Sequence, residues 1–326
     1  MKTSHESHKL VIEAIRANRD RRLRGEVISI PWSLKRLSKV LPGVQQGKYV
    51  IITASPKSGK TQLCDFLYMY EPIDWYIEHK DQKIHPKIFY FSLEMSCKAK
   101  LSQAISYKLN KSYGIVISPE NLYSSFGEYV LDREILSIIS SKEFTDWLKE
   151  FESIVTFIDD IRSPNDIYSY VTEYALSHGK MIGGRYIPDD PFEYVEVITD
   201  HISLLSPDKG ESLFEAMYDY SAYKCLYFRD ILNYAVINVQ QQSASSAQQQ
   251  FDYKGNSIVE KIRPSHDGLA DCKLTARDVN LMISLFNPFA YNFEKYENID
   301  LNRIGRWHRE LYINLNRDYK FVIFGN

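Results

Sequence analysis

The stretch Lys48–Thr61, Lys-Tyr-Val-Ile-Ile-Thr-Ala-Ser-Pro-Lys-Ser-Gly-Lys-Thr, constrains this chain more than any other. An apolar run breaks into a small polar turn, and a helix-compatible segment, Gln62 to Tyr70, follows. A buried strand feeding such a turn is the layout of a phosphate-binding loop. Backbone N–H groups from Ser55 through Pro56, Lys57, Ser58 and Gly59 to Lys60 and Thr61, with Gln62 behind them, are placed to wrap phosphates at the positive end of a helix. Lys60 adds a point charge for the β- and γ-phosphates, and the Thr61 hydroxyl is suited to Mg²⁺. Gly-Lys-Thr is short enough to recur by chance, and Ala54 stands where the first glycine of such a loop usually lies. The strand before, the helix after and the acids later in the chain carry the reading.

At 326 residues the chain can build one large α/β domain or two modest ones. A 44% hydrophobic and 25% charged composition is that of an ordinary globular protein. The formal net charge of −2 leaves any contact with nucleic acid to local patches. Cys64, Cys97, Cys225 and Cys272 are scattered without a paired spacing, which predicts free thiols in a reducing compartment and argues against structural zinc. No apolar run approaches a membrane span, so the expectation is a cytoplasmic protein with no membrane partner.

Strand-like and helix-like segments alternate along the chain, which predicts an α/β fold with a mostly parallel, twisted sheet and helices on both faces. Residues 8 to 24 read as an amphipathic helix with a basic end, either a solvated surface helix or an arm that docks on a neighbouring subunit. The expected division is 1–29 for this helix and a linker, and 30–326 for the main domain. A polar excursion is expected from Glu71 to Pro86. Strands are expected over Lys87–Glu94, Val155–Asp160, Tyr194–Asp200, Tyr234–Gln241 and Val279–Phe286, and helices over Ser96–Asn110, Asp132–Phe151, Asn165–Ser177 and Glu211–Leu232. Residues 179 to 191 read as turns and Gln242 to Asp267 as a mobile loop. Leu311–Arg317 and Tyr319–Phe324 read as a C-terminal β-hairpin across Asp318.

Carboxylates end three of these strands, where ligands sit in open α/β sheets. Asp200 is placed to hold Mg²⁺, and Glu94 to orient the attacking water in γ-phosphate hydrolysis. Each, taken singly, reads equally well as a solvated strand-end acid. Asp159-Asp160 is expected to cap the turn before Ser163-Pro164. Gln241, also at a strand end, is either a γ-phosphate sensor or part of a glutamine-rich loop.

With these residues in view, the chain resembles the RecA-like motor domain of DnaB-type replicative helicases. Ala54–Thr61 is similar to that family's phosphate loop, which also accepts Ala first. Ser92-Leu-Glu-Met95 resembles its strand with the catalytic glutamate, Val197–Asp200 its metal-binding aspartate, and Val236–Gln241 its γ-phosphate-sensing glutamine. Pro264–Asn280, with Gly268–Lys273, resembles the DNA-contacting loop, and Asn316-Arg317 the arginine finger. The resemblance runs from about Ile30 onward and implies a RecA-like P-loop NTPase core that uses ATP and Mg²⁺. It implies a homo-oligomer, a hexameric ring on single-stranded DNA, moving 5′ to 3′, with Lys60, Glu94, Gln241 and Arg317 catalytic. Lys254, Lys261, Arg263, Leu269, Ala270, Asp271 and Lys273 would meet DNA, or else form a solvated loop. The family's N-terminal helical domain has no room before residue 30, so contact with a primase through it is not implied, and no loader is identifiable. Leu315 stands where the finger hairpin usually carries Lys. Helicases this small resemble phage-encoded versions, which would work in a bacterial host's cytoplasm. A nucleotide-gated DNA-binding or assembly protein without unwinding, recombinase-like or a helicase partner, is the alternative reading.

Overall fold

The apolar runs become strands whose alternate residues enter two different cores, as the period of two along a strand requires. They are β1 (Tyr49–Ala54), β2 (His85–Ser92), β3 (Val155–Ile158), the pair β4 (Gly179–Ile182) and β5 (Arg185–Pro188), β6 (Glu193–Asp200), β7 (Ala235–Gln241), β8 (Leu281–Phe286), the short β9 (Lys295–Tyr296) and β10 (Ile299–Asp300), and β11 (Glu310–Asn316). The computed structural model describes residues 4–125, 127–246, 248–249, 251, 258, 261–291, 293–297 and 299–318. Seven strands form the main sheet in the order β11-β8-β1-β7-β6-β2-β3, parallel throughout except that β11 runs antiparallel to β8. Every residue of β1 is buried, as expected for a central strand covered on both faces.

The helices between the strands are α1 (Ser4–Leu23), α2 (Lys60–Asp65), α3 (Glu71–Glu78), α4 (Cys97–Tyr113), α5 (Pro119–Leu122), α6 (Arg133–Ile139), α7 (Lys142–Ile154), α8 (Pro164–His178), α9 (Leu213–Asp219), α10 (Leu226–Asp230) and α11 (Leu301–Ile304). On one face Val50 and Ile52 pack with Cys64 and Leu67 behind α2, and with Phe144 and Phe151 of α7. On the other, Tyr49 and Ile51 pack with Ile167 and Val171 of α8, and with Met217 and Phe228. Serines start several helices: the side chains of Ser96, Ser141, Ser163 and Ser212 each accept the third amide, and Ser212 with Glu215 completes a capping box.

Four expectations change. The segment after Tyr70 is not a polar excursion at its start: a wide helical turn, Phe66–Tyr70, carries α2 into α3, where Ile73 is buried and Glu71 accepts from the amide and hydroxyl of Ser33. Its polar appearance comes from residues that find partners inside the fold. The single helix expected over 132–151 is two, because Ser141 caps a new start. Residues 179–188 form a β-hairpin whose two turn glycines, Gly183 and Gly184, take φ of 58° and 77°, the left-handed pair that a two-residue hairpin turn demands. The helix over 211–232 begins at Leu213 and is joined from α9 to α10 by a second wide turn, Tyr220–Cys225.

At the C-terminus β11 pairs with β8, with an irregularity between Ile313 and Leu315. The second arm expected at Tyr319–Phe324 lies outside the described residues, as does part of the loop expected over 242–267. The ends of that loop are pinned by a bridge between Gln242 and Leu269. In α1, Val11, Ile15 and Leu23 are exposed, while Arg21 and Arg24 both bond Glu26. Among the described residues no helix is long and apolar enough to cross a membrane.

Candidate nucleotide site

Strand β1 ends between two neighbours, with Ala54 beside Gln241 of β7 and Leu285 of β8. The chain then turns through Ser55–Gly59, tightened by a bond from the Ser58 amide to the Ser55 carbonyl. Gly59 has φ of 99°, and a side chain there would meet only ordinary contacts, so the backbone angle and not space requires glycine. Ser58, Lys60 and Thr61 are buried, Ser55 is half-buried, and Pro56, Lys57 and Gln62 are exposed.

Asp200 ends β6 two strands away from β1, and its carboxylate turns back toward α2. The Thr61 hydroxyl lies 3.3 Å from Asp200 Oδ1, and both residues are buried. A hydroxyl and a carboxylate together are the hard oxygen donors that Mg²⁺ prefers, so the pair fits that ion. The parallel register sets Ser92 of β2 opposite Asp200, which brings Glu94 to the same edge of the sheet. The Glu94 side chain is half exposed, and its Oε2 lies 3.7 Å from Nε2 of His201. Burial, reinforced by the nearby Lys60 charge, holds the His201 imidazole below its ordinary pKa. Gln241 alternates with Gln240 and Gln242, whose amides are spent on the fold: Gln240 donates to the carbonyls of Ala270 and Cys272, Gln242 to Thr53 Oγ1 and the carbonyl of Ser265. That alternation leaves Gln241 on the face of Ile237 and Val239, which is the face that carries α2.

Arg317 is elsewhere. Asn316 pairs with Leu281, and Leu281 with Val50, at the opposite end of β1 from the phosphate loop. The exposed guanidinium reaches only the Ala276 carbonyl, at 3.4 Å. Leu315 packs against the apolar core. Of the residues expected to meet DNA, Lys261, Asp271 and Lys273 are exposed, and Lys254 lies outside the described residues. Leu269 is buried and Ala270 half-buried, so the structure turns Leu269 into core. Arg263 is held by the Tyr296 hydroxyl at 2.6 Å and by Glu297 at 2.7 Å. Asp159 does not cap the turn before Pro164; it accepts the amide of Cys97 at 2.8 Å and so caps α4.

Other groups at the site are not among the sequence expectations. Asp65 of α2, Tyr90 of β2 and Lys100 of α4 form a buried polar cluster that touches Asp200. A charged residue on the apolar face of a helix is the one signal the sequence carries for them, Lys100 lying four residues before the buried Ala104. Arg309 donates from Nε to the Ser58 carbonyl at 3.0 Å, tying the segment before β11 to the phosphate loop.

No protein-family model matches the chain, and no curated protein sequence matches it. Solved structures do. An ATPase domain solved by itself superposes with a TM-score of 0.65 at 19% identity, covering 98% of this chain and 93% of that one. A DnaB-like replicative helicase, whose structure was solved together with its interactions with primase, superposes with a TM-score of 0.64 at 19% identity, covering 91% of this chain and 60% of the helicase. The chain thus spans less than two thirds of that helicase's length. The likeness shows the fold, the mostly parallel sheet of a RecA-like ATPase domain.

Proposed function

We propose that this protein is an ATP-driven motor on single-stranded DNA, a ring-forming replicative helicase; the hexameric ring and the 5′ to 3′ direction are taken from its resemblance to DnaB-type helicases. The observation that carries the reading is the meeting of Thr61 and Asp200, 3.3 Å apart, at the strand edge where the phosphate loop and Glu94 also lie. Backbone amides of Ser55–Thr61 bind the phosphates, and Lys60 adds its charge. Thr61 and Asp200 hold Mg²⁺, which neutralises charge on the phosphate oxygens. Glu94 orients the attacking water, and its partial exposure leaves room for one beside it. Gln241 senses the γ-phosphate from the next strand.

Arg317 cannot serve its own loop, because it sits at the other end of β1. It therefore acts on ATP bound by a neighbour, and a subunit alone hydrolyses slowly. Exposed Lys261 and Lys273, with Lys254, track the phosphates of the strand without reading bases. Helix α1, with its apolar residues exposed, docks on the next subunit.

The test is ATP turnover with and without single-stranded DNA, together with electron microscopy in ATP. DNA-stimulated turnover and closed sixfold rings support the helicase. Turnover indifferent to DNA, with open filaments or single subunits, favours a nucleotide-gated assembly protein instead.

A further inference from the structure

The phosphate loop and Asp200 rest on a cluster that nucleotide chemistry by itself does not call for. Lys100 is fully buried, and its ammonium spends all three of its donors inside the protein. Two go to Asp65, at 2.9 Å from each oxygen, and the third goes to the Tyr90 hydroxyl at 2.6 Å. Because Tyr90 accepts from Lys100, its own proton is free to be donated. The acceptors in reach are Asp65 Oδ1 at 2.6 Å and Asp200 Oδ2 at 3.1 Å. Lys100 Nζ is itself 3.7 Å from Asp200 Oδ2.

The two oxygens of Asp200 thus face different surroundings. Oδ2 is turned toward Tyr90 and Lys100, and Oδ1 toward Thr61 at 3.3 Å. A carboxylate free to rotate about its last bond would exchange the two, so the cluster selects which oxygen is offered to the phosphate loop. Buried ion pairs are commonly no more stabilising than apolar side chains of the same size, so stability alone does not account for a lysine here.

We infer that Lys100, acting through Tyr90 and balanced by Asp65, is a positioning residue that fixes Asp200 in the orientation that receives Mg²⁺. The inference rests on the nucleotide reading given above. Its mechanism is that of the outer partners of metal ligands, which hold a ligand's orientation without touching the ion and whose loss costs roughly tenfold to a hundredfold in metal affinity.

The experiment measures binding of a fluorescent ATP analogue in EDTA and in saturating Mg²⁺, for the wild-type chain, Lys100→Met/Asp65→Leu, Tyr90→Phe and Lys60→Ala. The double variant removes both buried charges together, so neither is left unpaired. We expect it to bind as the wild type does in EDTA and about tenfold more weakly in Mg²⁺. Tyr90→Phe keeps the Lys100–Asp65 pair and removes only the bridge; it should show a selective loss of roughly threefold in Mg²⁺. It carries the test if the double variant does not fold. Wild-type affinity in Mg²⁺ for the folded variants overturns the inference, and so does an equal loss in both conditions, which marks a purely structural role. Failure of the wild type to bind, or full binding by Lys60→Ala, overturns the nucleotide reading itself.

Discussion

Oδ1 of Asp200 and the hydroxyl of Thr61 lie 3.3 Å apart although 139 residues separate them in the chain. The contact exists because β1 and β6 both flank β7 in one parallel sheet, so that their carboxyl ends share an edge. Loop, metal-holding acid and Glu94 are therefore one site. It follows that binding and turnover should separate by residue. Lys60→Ala should lose nucleotide binding and turnover together, whereas Glu94→Gln should bind ATP normally and turn it over about 10²-fold or more slowly. Equilibrium binding beside steady-state turnover checks both, and a Glu94→Gln protein with full turnover removes the glutamate from the mechanism.

Arg317 lies at the far end of the sheet from its own loop, with Asn316 opposite Leu281 and Leu281 opposite Val50. Arg317→Ala should leave ATP affinity unchanged and lower turnover by about 10³-fold. Mixing it with Lys60→Ala subunits should restore part of the activity, since some interfaces then pair an intact loop with an intact arginine. A wild-type rate in Arg317→Ala alone rules out the role in the neighbour's site.

Arg309 holds the Ser58 carbonyl at 3.0 Å while its Nη1 bonds the carbonyls of Arg306 and His308, both at 2.8 Å. The guanidinium thus braces the phosphate loop from the segment before β11. Arg309→Ala should weaken nucleotide binding about fivefold, the size of one hydrogen bond from a charged group at a partly solvated site. Arg309→Lys should not restore it, because an ammonium lacks the planar fork that spans three carbonyls. Titration with a fluorescent nucleotide reads both, and unaltered affinity in the alanine variant shows that the loop needs no brace.

Asp159 accepts the Cys97 amide, and that bond is the main reason its carboxyl is held below the usual range. The folded pKa is lower than the unfolded one, so the cap contributes fully above about pH 4, the unfolded value, and is lost as the pH falls through the folded pKa. Asp159→Ala should be less stable than the wild type by about 1 kcal/mol at pH 7, with that gap narrowing below pH 4. Urea midpoints at several pH values measure it; a gap that stays constant into acid means that the carboxylate's charge is not involved.

The sequence carried the local half of this protein. The apolar run ending in Ala54, the turn, Gly59 and the Gly-Lys-Thr start of α2 are written in consecutive residues, and the serine caps of α4 and α8 could be read the same way. The hairpin at 179–188 was less legible, because its strands are short and one of its residues, Tyr186, reaches into the core from an otherwise exposed pair. Strand order and register were not legible at all, and they decide the site. Hydrogen bonds between β1, β7 and β6 bring Asp200 to Thr61, and the same ladder carries Arg317 away from them. The burial of Lys100 belongs to the same class, since a lone lysine on an apolar helix face has meaning only once Asp65 and Tyr90 arrive from two other elements to pair with it. Residue type and spacing determined which groups this chain owns for holding a phosphate; tertiary pairing decided which of them meet, because charge and hydrogen bonding act over a few ångströms of space and not along the chain.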